Sequence, residues 1–173
     1  MDLDPRLHFV TATAIIAKSD ADGALRFLVA KRAPTEKAFP DKWTVPGGKL
    51  VYSEYKDLPY TTRFPQWYRM MDWLVRKEVR EEVNVEVEDI RYLTDLVFVR
   101  PDGYPVVTLS FWCRYVSGDP KPGKDLTDVA WITAAEAKTY DMISGIDEEI
   151  AEVEKLLREK TSEPISKIFR PRS

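Results

Sequence analysis

Apolar and polar positions alternate in short runs over the first third of the chain. Phe9 to Ala17, rich in Val, Thr and Ile, predicts a strand. Ser19-Asp20-Ala21-Asp22-Gly23 predicts a turn, and Ala24 to Lys31 a second strand, so the two read as a hairpin. A polar loop with two prolines follows from Arg32 to Asp41. Trp43 to Val45 is short and extended, and Pro46-Gly47-Gly48 breaks it. Val51 to Phe64 has no clear period. Pro65 is a suitable first helical residue. Met71, Leu74, Val75, Val79 and Val83 then recur at helical spacing, predicting a helix from Pro65 to Val83 that Asn84 ends.

The second half reads as strands at Val85–Val87, Arg91–Arg100 and Val106–Val116, with Asp102-Gly103 turning between the last two. A Pro/Gly/charged loop spans Asp119 to Asp128, and a short strand Val129 to Ile132. Thr133 with Glu136 three residues on predicts a capping box, and Ile146 to Lys160 an amphipathic helix. Residues 161–173 read as a loose basic tail. Mixed strands with few helices predict an α/β sandwich, organised as one domain over residues 1–173.

Composition narrows the function classes. A chain of 173 residues, 44% hydrophobic, can bury a sizeable core. Its 29 acidic and 26 basic residues give a net charge of −3, with no general push toward nucleic acid or anionic membrane. A local basic pocket stays compatible with that balance. The single cysteine, Cys113, lies in an apolar run, so there is no disulfide framework and a cytoplasmic location is expected. No run approaches the ~20 apolar residues of a membrane span. His8, the one histidine, precedes a strand and reads as an edge residue.

The informative segment is Lys77-Glu78-Val79-Arg80-Glu81-Glu82-Val83. At ~100° per helical residue, Glu81 and Glu82 fall about 60° and 40° to either side of Glu78, so three carboxylates share one arc. Val75, Val79 and Val83 form the neighbouring apolar stripe, while Arg76 and Arg80 are expected to face solvent. Like charges so spaced repel. Magnesium, a hard cation that takes carboxylate, water and phosphate oxygens, would relieve that repulsion. The plainer reading is a solvated acidic face partnered by Lys77 and Arg80. Upstream, Gly47-Gly48 allows close backbone approach to a ligand, and Lys49 offers a point charge to a phosphate.

Together these pieces resemble the Nudix hydrolase family, whose box reads Gly-x5-Glu-x7-Arg-Glu-U-x-Glu-Glu-x-Gly-U, with U a bulky aliphatic. Here Gly48 precedes Glu54 at the box spacing, and Glu78, Val79, Glu81, Glu82 and Val85 close it in order. The lead-in Val29-Ala30-Lys31-Arg32 and Trp43-Thr44-Val45-Pro46-Gly47-Gly48-Lys49 is also similar to the family. The resemblance runs from about Phe9 to Trp131. Three departures stand out. There are 22 residues between Glu54 and Lys77 where the family has seven, an insertion of fifteen that spans residues 55–69. Lys77 replaces the box arginine and its bidentate fork. Asn84 replaces the box glycine.

The resemblance implies a Nudix-like α/β/α sandwich with a mixed central sheet. It also implies magnesium- or manganese-dependent hydrolysis of a phosphate anhydride in a nucleoside diphosphate-linked compound, such as a nucleoside triphosphate, a nucleotide sugar or an ADP-ribose-like molecule. On this resemblance Glu81 and Glu82 bind metal with the Gly47 carbonyl. Glu78 binds a second metal or orients and deprotonates the attacking water, and Lys77 holds Glu78. Asp125, six residues before Trp131, is the candidate later-loop ligand, with Asp128 in reserve; a plain turn residue is an equal reading of Asp125. Arg32, Lys49 and Glu54 are candidate substrate contacts. The expected partner is a small nucleotide-type molecule bound by a monomer or homodimer, with neither membrane nor specific nucleic acid.

Tyr52, Tyr55, Tyr60, Phe64, Trp67, Tyr68 and Trp73 crowd the inserted region. Packing within the domain or against a second subunit is the favoured reading, ahead of stacking on a base or closing a lid. Two other functions share the frame. Isopentenyl-diphosphate isomerase needs a catalytic cysteine and metal histidines, which one strand cysteine and His8 do not supply. A non-catalytic nucleotide- or protein-binding module would be expected to lose box carboxylates, and all are present.

Overall fold

The computed structural model describes residues 4–162. Strand β1 (Phe9–Ser19) is its axis. The C-terminal half of β1 pairs antiparallel with β2 (Leu25–Arg32), with Ile16 opposite Leu28. Its N-terminal half pairs instead with the short β4 (Gly47–Lys49), with Thr13 opposite Gly47. Along its other edge β1 runs parallel to β6 (Pro105–Gly118), which is antiparallel to β5 (Val85–Val99). On the far side β2 pairs with β3 (Trp43–Thr44) and with β7 (Leu126–Ile132). The sheet is therefore mixed.

Alternation along β1 and β2 loads both faces of this sheet. Ala12, Ala14 and Ile16 with Leu28 and Ala30 face one way, against Leu74, Val75, Val79 and Val83 of helix α2 (Met70–Val83). Ile15, Ala17, Phe27 and Val29 face the other way, against Ile146, Ile150 and Val153 of a C-terminal helix, Ile146–Ser162. A sheet apolar on both faces must be covered on both, so an α/β/α sandwich results, as expected. The Thr133–Glu136 capping box forms as predicted, opening the short helix Ala134–Ala137.

Three local expectations are corrected. Helix α2 begins at Met70, not Pro65. Residues 61–68 are held in a loop by Thr61 N–H donating to Gln66 O and Tyr68 N–H donating to Thr61 Oγ1, and Arg69 at φ 61° interrupts helical geometry. The aperiodic stretch after Leu50 instead contains a short helix, α1 (Tyr52–Tyr55). Val85–Val87 and Arg91–Arg100 are one strand, because register shifts between Glu86 and Thr94 and a positive φ at Asp89 absorb the break. The expected tail at 161–173 lies outside the described residues, apart from 161 and 162 in the C-terminal helix. Among the described residues no helix is long and apolar enough to cross a membrane.

Asn84 ends α2 at φ 56°, its N–H donating to Arg80 O and its Nδ2 to Asp119 O. Cys113 is buried and burial pushes its thiol up to about 12, so it stays a neutral core group, as the sequence predicted.

Leu74 is fully buried beneath the sheet. Leu74→Ala is expected to lower stability by about 3 kcal/mol, whereas Thr133→Ala, which loses only a cap, is expected to cost about 1 kcal/mol. Urea unfolding curves of the two variants measure both values.

Candidate functional site

Two glycines of β4 sit where it meets β1 and α2. A Cβ on Gly48 would lie 2.2 Å from the Glu78 carboxyl carbon, and one on Gly47 would lie 2.4 Å from Ala12 O. Only bare backbone fits there. Across this junction Gly47 N–H donates to Glu82 Oε2 at 2.9 Å. The carboxylate is thus held by the amide of Gly47.

The predicted arc divides about Glu78. On one side Lys77 Nζ lies 3.1 Å from Glu78 Oε1, 2.9 Å from Glu81 Oε2 and 3.3 Å from Glu54 Oε2. Lysine is not a planar fork, but its ammonium gathers all three carboxylates as a point charge. It also ties α1, through Glu54, to α2. Burial opposes the Lys77 charge, and the bonds to Glu81, Glu78 and Glu54 outweigh it, so its pKa is raised. Glu78 is well covered, its side chain 13% exposed, whereas Glu81 at 58% reaches solvent.

Glu82 lies on the other side, toward β4. Burial pushes its carboxyl up to about 7; the Gly47 amide opposes the rise and the Glu78 charge adds to it. Arg32 lowers this pKa and Asp125 raises it, so both lie within electrostatic reach. Arg32 donates from Nε to Ala38 O at 2.9 Å and also pairs with Glu36, which organises the loop after β2. Glu78 is raised too, chiefly by burial, with Lys77 opposing and the Glu81 and Glu54 charges adding less. Desolvation is therefore the main cause.

The later loop docks onto the end of α2. Gly123 N–H donates to Glu82 O at 2.7 Å and Lys121 N–H to Val83 O at 3.2 Å. A Cβ on Gly123 would lie 2.5 Å from Glu81 O, so glycine permits the contact. Asp125 follows, with its carbonyl accepting from Ala33 N–H. Asp128 instead receives its own neighbour's Val129 N–H and pairs along β2 beside Lys31. Of the two candidates, Asp125 is the one among the main charges that raise Glu82. Lys49 is exposed and makes no side-chain bond among the described residues.

Arg80 is exposed, as predicted, and pairs with Glu86. Arg76 is not free in solvent: it donates to Val87 O and to Asp72, which fastens α2 to β5. Sequence reading missed it, together with the fit of Gly48 and Gly123. Gly48 carried a signal in its adjacency to Gly47, whereas Arg76 and Gly123 carried none.

Among the described residues no three His, Cys, Asp or Glu side chains converge as a ready-made cage. The donor chemistry nonetheless fits a hard divalent cation. Glu78 and Glu82 are oxygen donors, both covered, and burial raises the pKa of both. A cavity elsewhere, lined by Tyr92, Thr94, Glu149 and Leu156, includes none of these residues.

Between pH 4.5 and 7 folded Glu82 holds a proton that the unfolded chain has released. Its contribution to stability is therefore full below pH 4.5, is lost as pH rises through 7, and is flat above, amounting to at most about 3 kcal/mol. Thermal unfolding in EDTA from pH 5 to 8 is expected to show this fall in the wild type and a smaller one in Glu82→Gln. Equal falls in the two proteins would contradict the assignment.

No protein-family model matches the sequence, and no curated protein matches it either. Solved structures do match in shape. A MutT protein from Methanosarcina mazei Go1 shares 17% identity at TM-score 0.63, over 90% of this chain and 99% of that one. A C. elegans Ap4A hydrolase in a binary complex shares 15% at TM-score 0.64, over 87% and 98%. The NUDIX domain of Shewanella oneidensis NrtR, complexed with ADP ribose, shares 17% at TM-score 0.63, over 93% and 95%. With the mixed sheet and the helices on its two faces, these likenesses establish that the chain has the Nudix fold.

Proposed function

We propose that the protein is a divalent-metal-dependent hydrolase of phosphate anhydrides in nucleoside diphosphate-linked compounds. The observation that carries this reading is the pair of covered carboxylates, Glu78 and Glu82, seated against the bare backbone of Gly47 and Gly48. Buried carboxylates whose pKa values are raised by desolvation mark functional sites more often than plain surface acids do. The similar folds of an Ap4A hydrolase and an ADP-ribose-bound domain favour a nucleotide-type substrate.

Magnesium or manganese held by Glu78, Glu81 and Glu82, with Asp125 nearby, would neutralise phosphate oxygens and acidify bound water. Glu78 has the character of a proton acceptor: covered, raised in pKa, and held by Lys77 at 3.1 Å. Lys77 is a positioning residue, since it fixes Glu78, Glu81 and Glu54 together. Exposed Lys49 is free to meet the phosphate that is not attacked, while Arg32 acts on the site through its charge and the loop it holds.

The Lys77 contacts also favour a second reading, a binding module in which the ammonium takes the place of metal. Phosphate release from a panel of nucleotides, with and without magnesium, separates the two. Metal-dependent turnover is expected, falling about a hundredfold or more in Glu78→Gln and in Glu82→Gln. Lys77→Arg is expected to retain most activity and Lys77→Met little. Binding of nucleotide without turnover of any member of the panel would leave the module reading.

A further inference from the structure

The C-terminal helix, Ile146–Ser162, covers the sheet face opposite α2. Between it and β5 runs an open groove of about 560 Å³, lined by Leu93 and Thr94 of the strand and by Glu148, Glu149, Glu152 and Leu156 of the helix. The strand bulges at this point. Tyr92 pairs with Phe111 and Thr94 with Ser110, so Leu93 is the extra residue between them, and it packs with the core on the helix side.

The helical side of the groove is acidic. At ~100° per residue, Glu148, Glu149, Glu152 and Leu156 fall within about 100° of one another around the helix. Glu149 is half-buried and bonded to the Ser110 hydroxyl, which meets Thr13 Oγ1 at 2.9 Å. Burial raises the Glu149 pKa, and the Ser110 bond opposes the rise. Glu154 is taken by Arg158 at 2.8 Å, whereas Glu148 and Glu152 have no ion pair among the described residues. Arg91, just before the bulge, is stacked over Trp112 instead. Three carboxylates and two leucines therefore line the groove, with no cation among them.

The segment that follows the helix has the complementary character. Residues 163–173 lie outside the described residues, and their sequence carries Lys167, Arg170 and Arg172 against Glu163, interleaved with Ile165, Ile168 and Phe169. Pro164 has no N–H with which to continue a helix. An extended run from Ile165 to Phe169 spans about 16 Å, and Glu148 to Leu156 about 12 Å along the helix axis. Reversed after the helix, the segment is long enough to lie along the groove. Modest contacts suffice for such a segment, because a short tether gives an effective concentration in the millimolar range.

We propose that residues 163–173 of the same chain fold back into this groove, setting Ile168 and Phe169 against its leucines and Lys167 and Arg170 against Glu148, Glu149 and Glu152. The groove lies on the face away from α2, so this docking stands apart from the hydrolase reading. The test uses the full chain with Ser173→Cys carrying a nitroxide; Cys113 is buried and stays unlabelled. Amide NMR signals of Leu93, Thr94, Glu152 and Leu156 are expected to lose most of their intensity with the label oxidised and to regain it when the label is reduced. Added salt is expected to lessen the loss. Lys167→Glu with Arg170→Glu is expected to abolish it. Adding Glu148→Lys and Glu152→Lys to that pair is expected to restore it, because the charges are then exchanged rather than removed.

Full intensity at these amides in the labelled wild type would overturn the proposal, as would equal loss in the wild type and in Lys167→Glu with Arg170→Glu. So would the same loss in unlabelled, isotope-enriched protein mixed with labelled, isotope-free protein, which would assign the groove to the segment of a second copy.

Discussion

The bond from Gly47 N–H to Glu82, with Glu78 pressed against Gly48, is the contact on which the rest of the molecule is arranged. It joins one end of a sheet to one face of a helix at backbone distance. Gly48 lacks the atom that would meet Glu78, and Gly47 the one that would meet Ala12 and Thr13 of β1. Because β4 takes the edge of β1 that β2 leaves, the glycines meet α2 where the sheet splits. Four residues of α2, from Leu74 to Val83, are buried on the same side and hold the helix at that height. Packing thus fixes the carboxylates, and the carboxylates give the packing its chemical consequence.

Electrostatics at the junction is divided between two cations with different geometries. Lys77 stands among Glu54, Glu78 and Glu81 and gathers them from two elements. Arg32 is engaged by Ala38 and Glu36 and reaches Glu82 only as a field, set against Asp125. Glu82 consequently has one amide and no cation of its own. A covered carboxylate in that state is protonated near neutrality or awaits a positive ion, because desolvation penalises its charge more than one N–H restores.

The opposite face has a structural polar seam. Thr11 meets Thr108 at 2.7 Å and Thr13 meets Ser110 at 2.9 Å between the parallel strands β1 and β6. Paired hydroxyls satisfy each other where burial would otherwise penalise them. This seam underlies the half of β1 that carries β4, so β1 is anchored on both edges there.

The sequence by itself determined most of the secondary structure and the carboxylate arc. Strand alternation and the Val75–Val79–Val83 stripe are local periodicities, and a period needs no tertiary partner to be read. The capping box and the Asn84 terminus are local chemistry as well. Tertiary structure decided the rest. Whether Glu82 or Glu81 would be the covered carboxylate depended on β4, which is far away along the chain. The pairing of Arg76 with β5 and the docking of Gly123 against α2 depended on where loops return. The start of α2 turned on loop bonds from Thr61 that outweighed the helix signal of Pro65. In each case long-range contact set the outcome, because burial and close approach exist only once distant segments meet.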